Sequence, residues 1–144
     1  MHRLYSLTID ALINNAGIAG NIRLNDPVRG PIDGEFSTGM YTVNVLAPLL
    51  LTQAVAPYPP RDRSGRIVDF SNVSASLGSE GQSVYGGTKA TIEAMTQQTW
   101  ARELGDRATV NAVKPGPVIG TCSGSPGKIF GIECKTGRTM HLAA

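Results

Sequence analysis

Apolar residues fall along this chain in short runs and in helical stripes, and the alternation of the two orders the elements. Ile9 to Ile13 is a brief, mostly apolar run that stops at Asn14-Asn15-Ala16-Gly17, the pattern of a buried strand closed by turn formers. From Asp33 or Gly34 to about Ala56, apolar residues recur at Phe36, Met40, Val43, Leu46, Leu50 and Val55. That spacing predicts a helix with Asp33 as its cap, kinked at Pro48. Pro57-Tyr58-Pro59-Pro60 ends it, a charged turn follows, and Arg66 to Phe70 reads as a second strand. Gln82 to Leu104 holds no Pro and carries Val84, Ala90, Ile92, Met95 and Leu104 at helical intervals, so a long helix is expected to end at Gly105. Thr109 to Val113 is a third strand, stopped by Pro115-Gly116.

Strand, helix, strand, helix, strand predicts parallel βαβ units and the α/β class, a doubly wound parallel sheet reduced to three strands with flanking helices. Periodicity fades after about Gly120, so residues 1–120 are expected to form the domain and 121–144 a poorly ordered tail. With 144 residues there is room for one modest core.

Composition narrows the function classes. An apolar share of 41% and a charged share of 17% suit a soluble globular protein, and a net charge of +2 without basic runs gives no footprint for nucleic acid. The N-terminal residues lack the apolar core of a signal peptide, and the longest apolar run is far too short to span a bilayer, so a cytoplasmic protein that does not cross a membrane is expected. Cys122 and Cys134 stand apart from any CxxC or paired-His spacing, and no metal site is expected.

Ligands of open parallel sheets sit beyond the carboxyl ends of the strands. Here those ends are Asn14-Asn15-Ala16-Gly17, Ser71-Asn72-Val73-Ser74 and Pro115-Gly116-Pro117-Val118. The second long helix opens with Tyr85 and Lys89, which at i and i+4 project from one face. An ammonium beside a phenol favours the phenolate, so Lys89 is expected to lower the Tyr85 pKa and suit that phenol to acid–base work on a carbonyl.

The ordered set LINNAGI (12–18), VNV (43–45), GRIVDFSNVSA (65–75), VYGGTKA (84–90) and VNAVKPGPV (110–118) resembles the short-chain dehydrogenase/reductase family over roughly residues 9 to 119. The resemblance implies hydride transfer between a nicotinamide cofactor, NADP or NAD with NADP slightly favoured, and a ketone or secondary alcohol. Tyr85 would be the general acid/base. Lys89 would tune it and hold the nicotinamide ribose, and Asn44 would support a water that relays protons to Lys89. Asn15, Ala16 and Gly17 would lie along the cofactor, with Pro115, Gly116 and Val118 at the nicotinamide. A homo-oligomer through the two long helices is expected on the same basis.

Two departures stand out. The family's catalytic Ser lies thirteen residues before the Tyr, and here that place is Asn72, so either the Asn72 amide or the Ser74 hydroxyl is expected to meet the substrate oxygen. Neither GxGxxG nor GxxxGxG occurs, and the match begins at what would be the family's fourth strand. The expectation is therefore a truncated member whose first strand has an open edge and whose Ala11, Leu12 and Ile13 lack packing partners. The alternative is a catalytically inactive remnant that acts, if at all, as an interaction partner.

Overall fold

A computed structural model describes residues 8–116, together with the backbone of 128–129 and 132–133. Strands β1 (Ala11–Asn14), β2 (Gly65–Phe70) and β3 (Ala108–Val113) form one parallel sheet in the order β1-β2-β3, with Leu12, Ile67 and Val110 in one register row and Asn14, Asp69 and Ala112 in another. Each strand lies within two residues of the run that predicts it. The chain separates into two units, Met1–Lys114 and Pro115–Ala144. In the second, β4 (Lys128–Ile129) pairs antiparallel with β5 (Ile132–Glu133), and the remainder of 121–144 lies outside the described residues.

The first crossover is α1 (Gly34–Tyr41), a π-helical turn at Thr42–Leu46, and α2 (Ala47–Val55). Asp33 caps it as expected, its Oδ1 accepting the Phe36 N–H at 2.7 Å. The π turn has a local cause: Pro48 has no N–H for the carbonyl of Asn44, and the ladder widens just before it, with the Ala47 N–H reaching Thr42 O. A four-residue helix, α3 (Ser74–Leu77), follows β2. The second crossover is α4 (Ser83–Ala94), a π-helical stretch at Met95–Trp100, and α5 (Ala101–Glu103). Apolar spacing predicts both long helices but is blind to one inserted residue per turn.

Both crossovers cover the same side of the sheet. Ile67 and Val110 pack there with Ile92 and Trp100, and Leu12, Met95, Ala101 and Leu104 close around them. Burying each large apolar side chain is worth about 1.5–3 kcal/mol. Leu12 thus keeps packing partners, contrary to expectation, because its side chain faces the helices. The expectation holds for Ile13, which points to the other side and is 63% exposed, with Val113 alike at 41%. No helix among the described residues is long and apolar enough to cross a membrane.

A polar pair sits in the middle of this sheet. Asn14 Nδ2 donates to Asp69 Oδ1 at 2.7 Å and to Thr52 Oγ1 at 3.3 Å, while Asn14 Oδ1 is buried without a partner. Thr96 Oγ1 lies 2.7 Å from Ile92 O and 3.0 Å from Asp69 Oδ2. A hydroxyl has one proton, so Thr96 shares it between two acceptors, the Ile92 carbonyl and the Asp69 carboxylate. Burial raises the Asp69 pKa, against the opposing hydrogen bonds from Asn14 and Thr96.

Candidate active site

Tyr85 and Lys89 stand one turn apart on α4, at the carboxyl end of the sheet where β1 and β2 release their loops. Lys89 is buried, and its Nζ donates to Phe70 O, the last carbonyl of β2, at 2.7 Å. Nζ lies 5.8 Å from the centre of the Tyr85 ring. No carboxylate hydrogen-bonds it among the described residues, and desolvation lowers its pKa.

Desolvation also moves Tyr85, in the direction opposite to the sequence expectation. Its pKa is raised, because the half-buried phenol loses water. Tyr85 therefore keeps its proton at neutral pH in this arrangement.

Asn44 sits on the π turn, 2% exposed, with its whole amide engaged. Oδ1 accepts the Ile18 N–H at 2.8 Å, and Nδ2 donates to Ile18 O at 2.8 Å and to Thr88 Oγ1 at 3.1 Å. The side chain clamps the loop after β1 and has no N–H left for a water. Its backbone carbonyl, which Pro48 deprives of the ordinary helical donor, is a further acceptor.

Asn15, Ala16 and Gly17 are exposed on that clamped loop. Gly17 does not need a positive φ, and its role is spatial: a Cβ there would stand 3.4 Å from Asn44 Oδ1 and 3.5 Å from Lys89 Nζ. Lys89 Nζ has three protons and gives one to Phe70 O. Its spare donors beside a bare glycine surface fit the hydroxyls of a ribose. The glycine-rich turn that would take a pyrophosphate is not in this sequence.

The Ser cluster resolves into three distinct roles. Ser71 is buried, and its Oγ is tied to Lys89 O at 3.2 Å and to Glu93, which also pairs with Lys114 at 2.9 Å. Asn72 Oδ1 accepts both the Ser74 N–H at 2.9 Å and the Ser74 hydroxyl at 2.7 Å. A backbone N–H can donate only to the amide oxygen, so this contact fixes which way the amide faces. Asn72 Nδ2 has no acceptor among the described residues, and the residue is half-buried.

Ser74 is buried and its hydroxyl proton goes to Asn72 Oδ1, so the N–H groups of Asn72 are the donors of this pair left without a partner among the described residues. The alternation of an extended chain does not reach residue 74, because Val73 is already helical, with φ −57° and ψ −22°. Pro115 and Gly116 follow β3 and open the second unit, while Val118 lies outside the described residues. Sequence reasoning missed Thr88, whose hydroxyl meets Asn44. A β-branched polar residue inside a helix, next to the Lys, was the available signal.

A sequence model of the short chain dehydrogenase family matches residues 3–125. L-xylulose reductase of Aspergillus niger is 61% identical over 127 residues, covering 87% of this chain and 42% of the relative. L-xylo-3-hexulose reductase of Hypocrea jecorina is 60% identical over 122 residues, covering 85% and 40%. Among solved structures, landomycin C-6 ketoreductase with bound NADP and rabelomycin superimposes with a TM-score of 0.66 at 30% identity, covering 75% of this chain and 41% of that one. The chain thus spans about two fifths of the length of the relatives it matches. Parallel three-stranded α/β architecture, the Tyr85–Lys89 helix and the matched span agree, and the chain belongs to the short chain dehydrogenase family.

Proposed function

We propose that this chain carries the proton-transfer side of an NADP- or NAD-dependent oxidoreductase site, in the cytoplasm, acting on a ketose or its alcohol. The carrying observation is a buried Lys89 with spare donors, set between the Tyr85 ring and Gly17. Named sugar reductases at 60% and 61% identity support the ketose and favour this reading over an inert remnant. The NADP bound to the landomycin reductase supports the nicotinamide, with NADP preferred.

The nicotinamide would supply the hydride. Tyr85 holds a proton for the substrate oxygen, since its raised pKa keeps the phenol neutral. Asn72 Nδ2 donates to that same oxygen in place of a hydroxyl. Lys89 directs its spare N–H groups to the ribose, and Asn44 offers its carbonyl to a water on the way to Lys89. Asn15, Ala16 and Gly17 would lie along the cofactor, and the family resemblance assigns Pro115, Gly116 and Val118 to the nicotinamide. Self-association through the long helices belongs to the same reading, supported by the exposed Leu46, Leu50 and Leu51.

The test is NADPH and NADH binding and turnover of L-xylulose by the 144-residue chain and by Tyr85→Phe. Cofactor binding retained by Tyr85→Phe with turnover lost supports the reading; turnover that survives in Tyr85→Phe overturns it.

A further inference from the structure

We propose that Thr88 is a positioning residue that fixes the Asn15–Ile18 loop relative to Tyr85 and Lys89, an inference that rests on the oxidoreductase reading above. Thr88 is fully buried on α4. Its Oγ1 donates to Tyr85 O at 2.7 Å and accepts from Asn44 Nδ2 at 3.1 Å. The direction of both bonds is forced, since Nδ2 can only donate and the carbonyl can only accept. The hydroxyl therefore uses its one proton on the Tyr85 backbone and one lone pair on Asn44. Asn44 in turn holds both the N–H and the carbonyl of Ile18 at 2.8 Å.

The result is a continuous hydrogen-bonded path from the loop after β1, through Asn44 and Thr88, to the peptide of Tyr85. Gly17 lies on that loop, next to both Asn44 Oδ1 and Lys89 Nζ. The spacing between the loop and the ammonium is thus set by one hydroxyl. Removing it leaves a buried Asn44 N–H without an acceptor, and the clamp can relieve this only by shifting the loop. A side chain that kept helix α4 intact but lacked the oxygen would disturb the loop and leave the sheet in place.

The test uses the 15N-labelled 144-residue chain as wild type, Thr88→Val and Thr88→Ser. In Thr88→Val, exchange of the Ile18 N–H is expected to accelerate about tenfold more than that of the Ile67 N–H on the central strand, which reads global opening. NADPH binding, followed by fluorescence, is expected to weaken by about tenfold. Thr88→Ser restores both, because it returns the oxygen without the methyl group. Equal acceleration at Ile18 and Ile67, or a Thr88→Ser that behaves as Thr88→Val does, overturns the proposal.

Should Thr88→Val not fold, the wild-type chain decides: a slowly exchanging Thr88 hydroxyl proton with a cross-peak to the Asn44 amide supports the bridge, and a freely exchanging one overturns it. Absence of NADPH binding by the wild type counts against the oxidoreductase reading, and Ile18 exchange then judges Thr88 by itself.

Discussion

Lys89 gives its ammonium to the carbonyl of Phe70 at 2.7 Å, while the Tyr85 ring centre is 5.8 Å from it. The helix carrying both side chains is thereby bonded to the end of β2, and among the described residues the buried cation hydrogen-bonds to a neutral group alone.

Lys89→Met should raise the melting temperature by a few degrees, since relieving a desolvated charge of about 1 kcal/mol moves a domain of this size by several degrees. The same variant should lose cofactor binding. Because the folded Lys89 pKa is lowered, the unfolded chain binds more protons between the folded and ordinary Lys values. Stability of the wild type should rise with pH through that alkaline window, and Lys89→Met should flatten the rise in thermal melts across pH.

Asp69 has the opposite sign. Its folded pKa is raised, so the stability it contributes is complete below the ordinary carboxylate value and is lost as pH rises through the folded value. Asp69→Asn keeps the shape without a charge to ionise. Urea denaturation should find it at least as stable as the wild type at neutral pH, and less dependent on pH from the acidic side upward.

Two adjacent glycines should respond differently to alanine. A Cβ on Gly86 would meet the Ser74 carbonyl at 3.0 Å, and backbone cannot easily withdraw. On Gly87 it would meet the Tyr41 hydroxyl at 2.9 Å, the far end of a side chain that is 41% exposed and can swing away. Gly86→Ala should cost about 1–3 kcal/mol in chemical denaturation. Gly87→Ala should cost little or stabilise α4, because Ala is the better helix former.

Asn72→Ala removes two hydrogen bonds that start α3, and a loss of about 1 kcal/mol per bond is expected. Ser74→Ala removes only the side-chain bond and should cost less. If Asn72 also serves the substrate, Asn72→Ser should increase L-xylulose turnover by the chain, measured as NADPH consumption.

The sheet and its long helices were legible because Gly and Pro punctuate the chain and Asp33 marks a helix start. Tyr85 and Lys89 were legible because their spacing alone puts them on one face. Less could be read where the partner is backbone: the Phe70 carbonyl that redirects Lys89 has no sequence signature. Helix α3 was missed because its residues, Ser-Ala-Ser-Leu, carry no apolar stripe and depend on Asn72 to begin the turn. The Asn14–Asp69 contact needed the strand register, which pattern alone does not set. The first π turn arises from Pro48, a single-residue cause inside otherwise regular periodicity.

Asn72 and Ser74 act as one unit, with consequences for how this place in the chain can change over generations. A serine at 72 alone would free the Ser74 hydroxyl and its amide hydrogen, while an alanine at 74 alone would loosen the Asn72 amide. Each substitution changes what the other is worth, so the two positions are epistatic. Accepted replacements should therefore come as pairs, with a donor at 72 accompanied at 74 by whatever residue keeps it aimed.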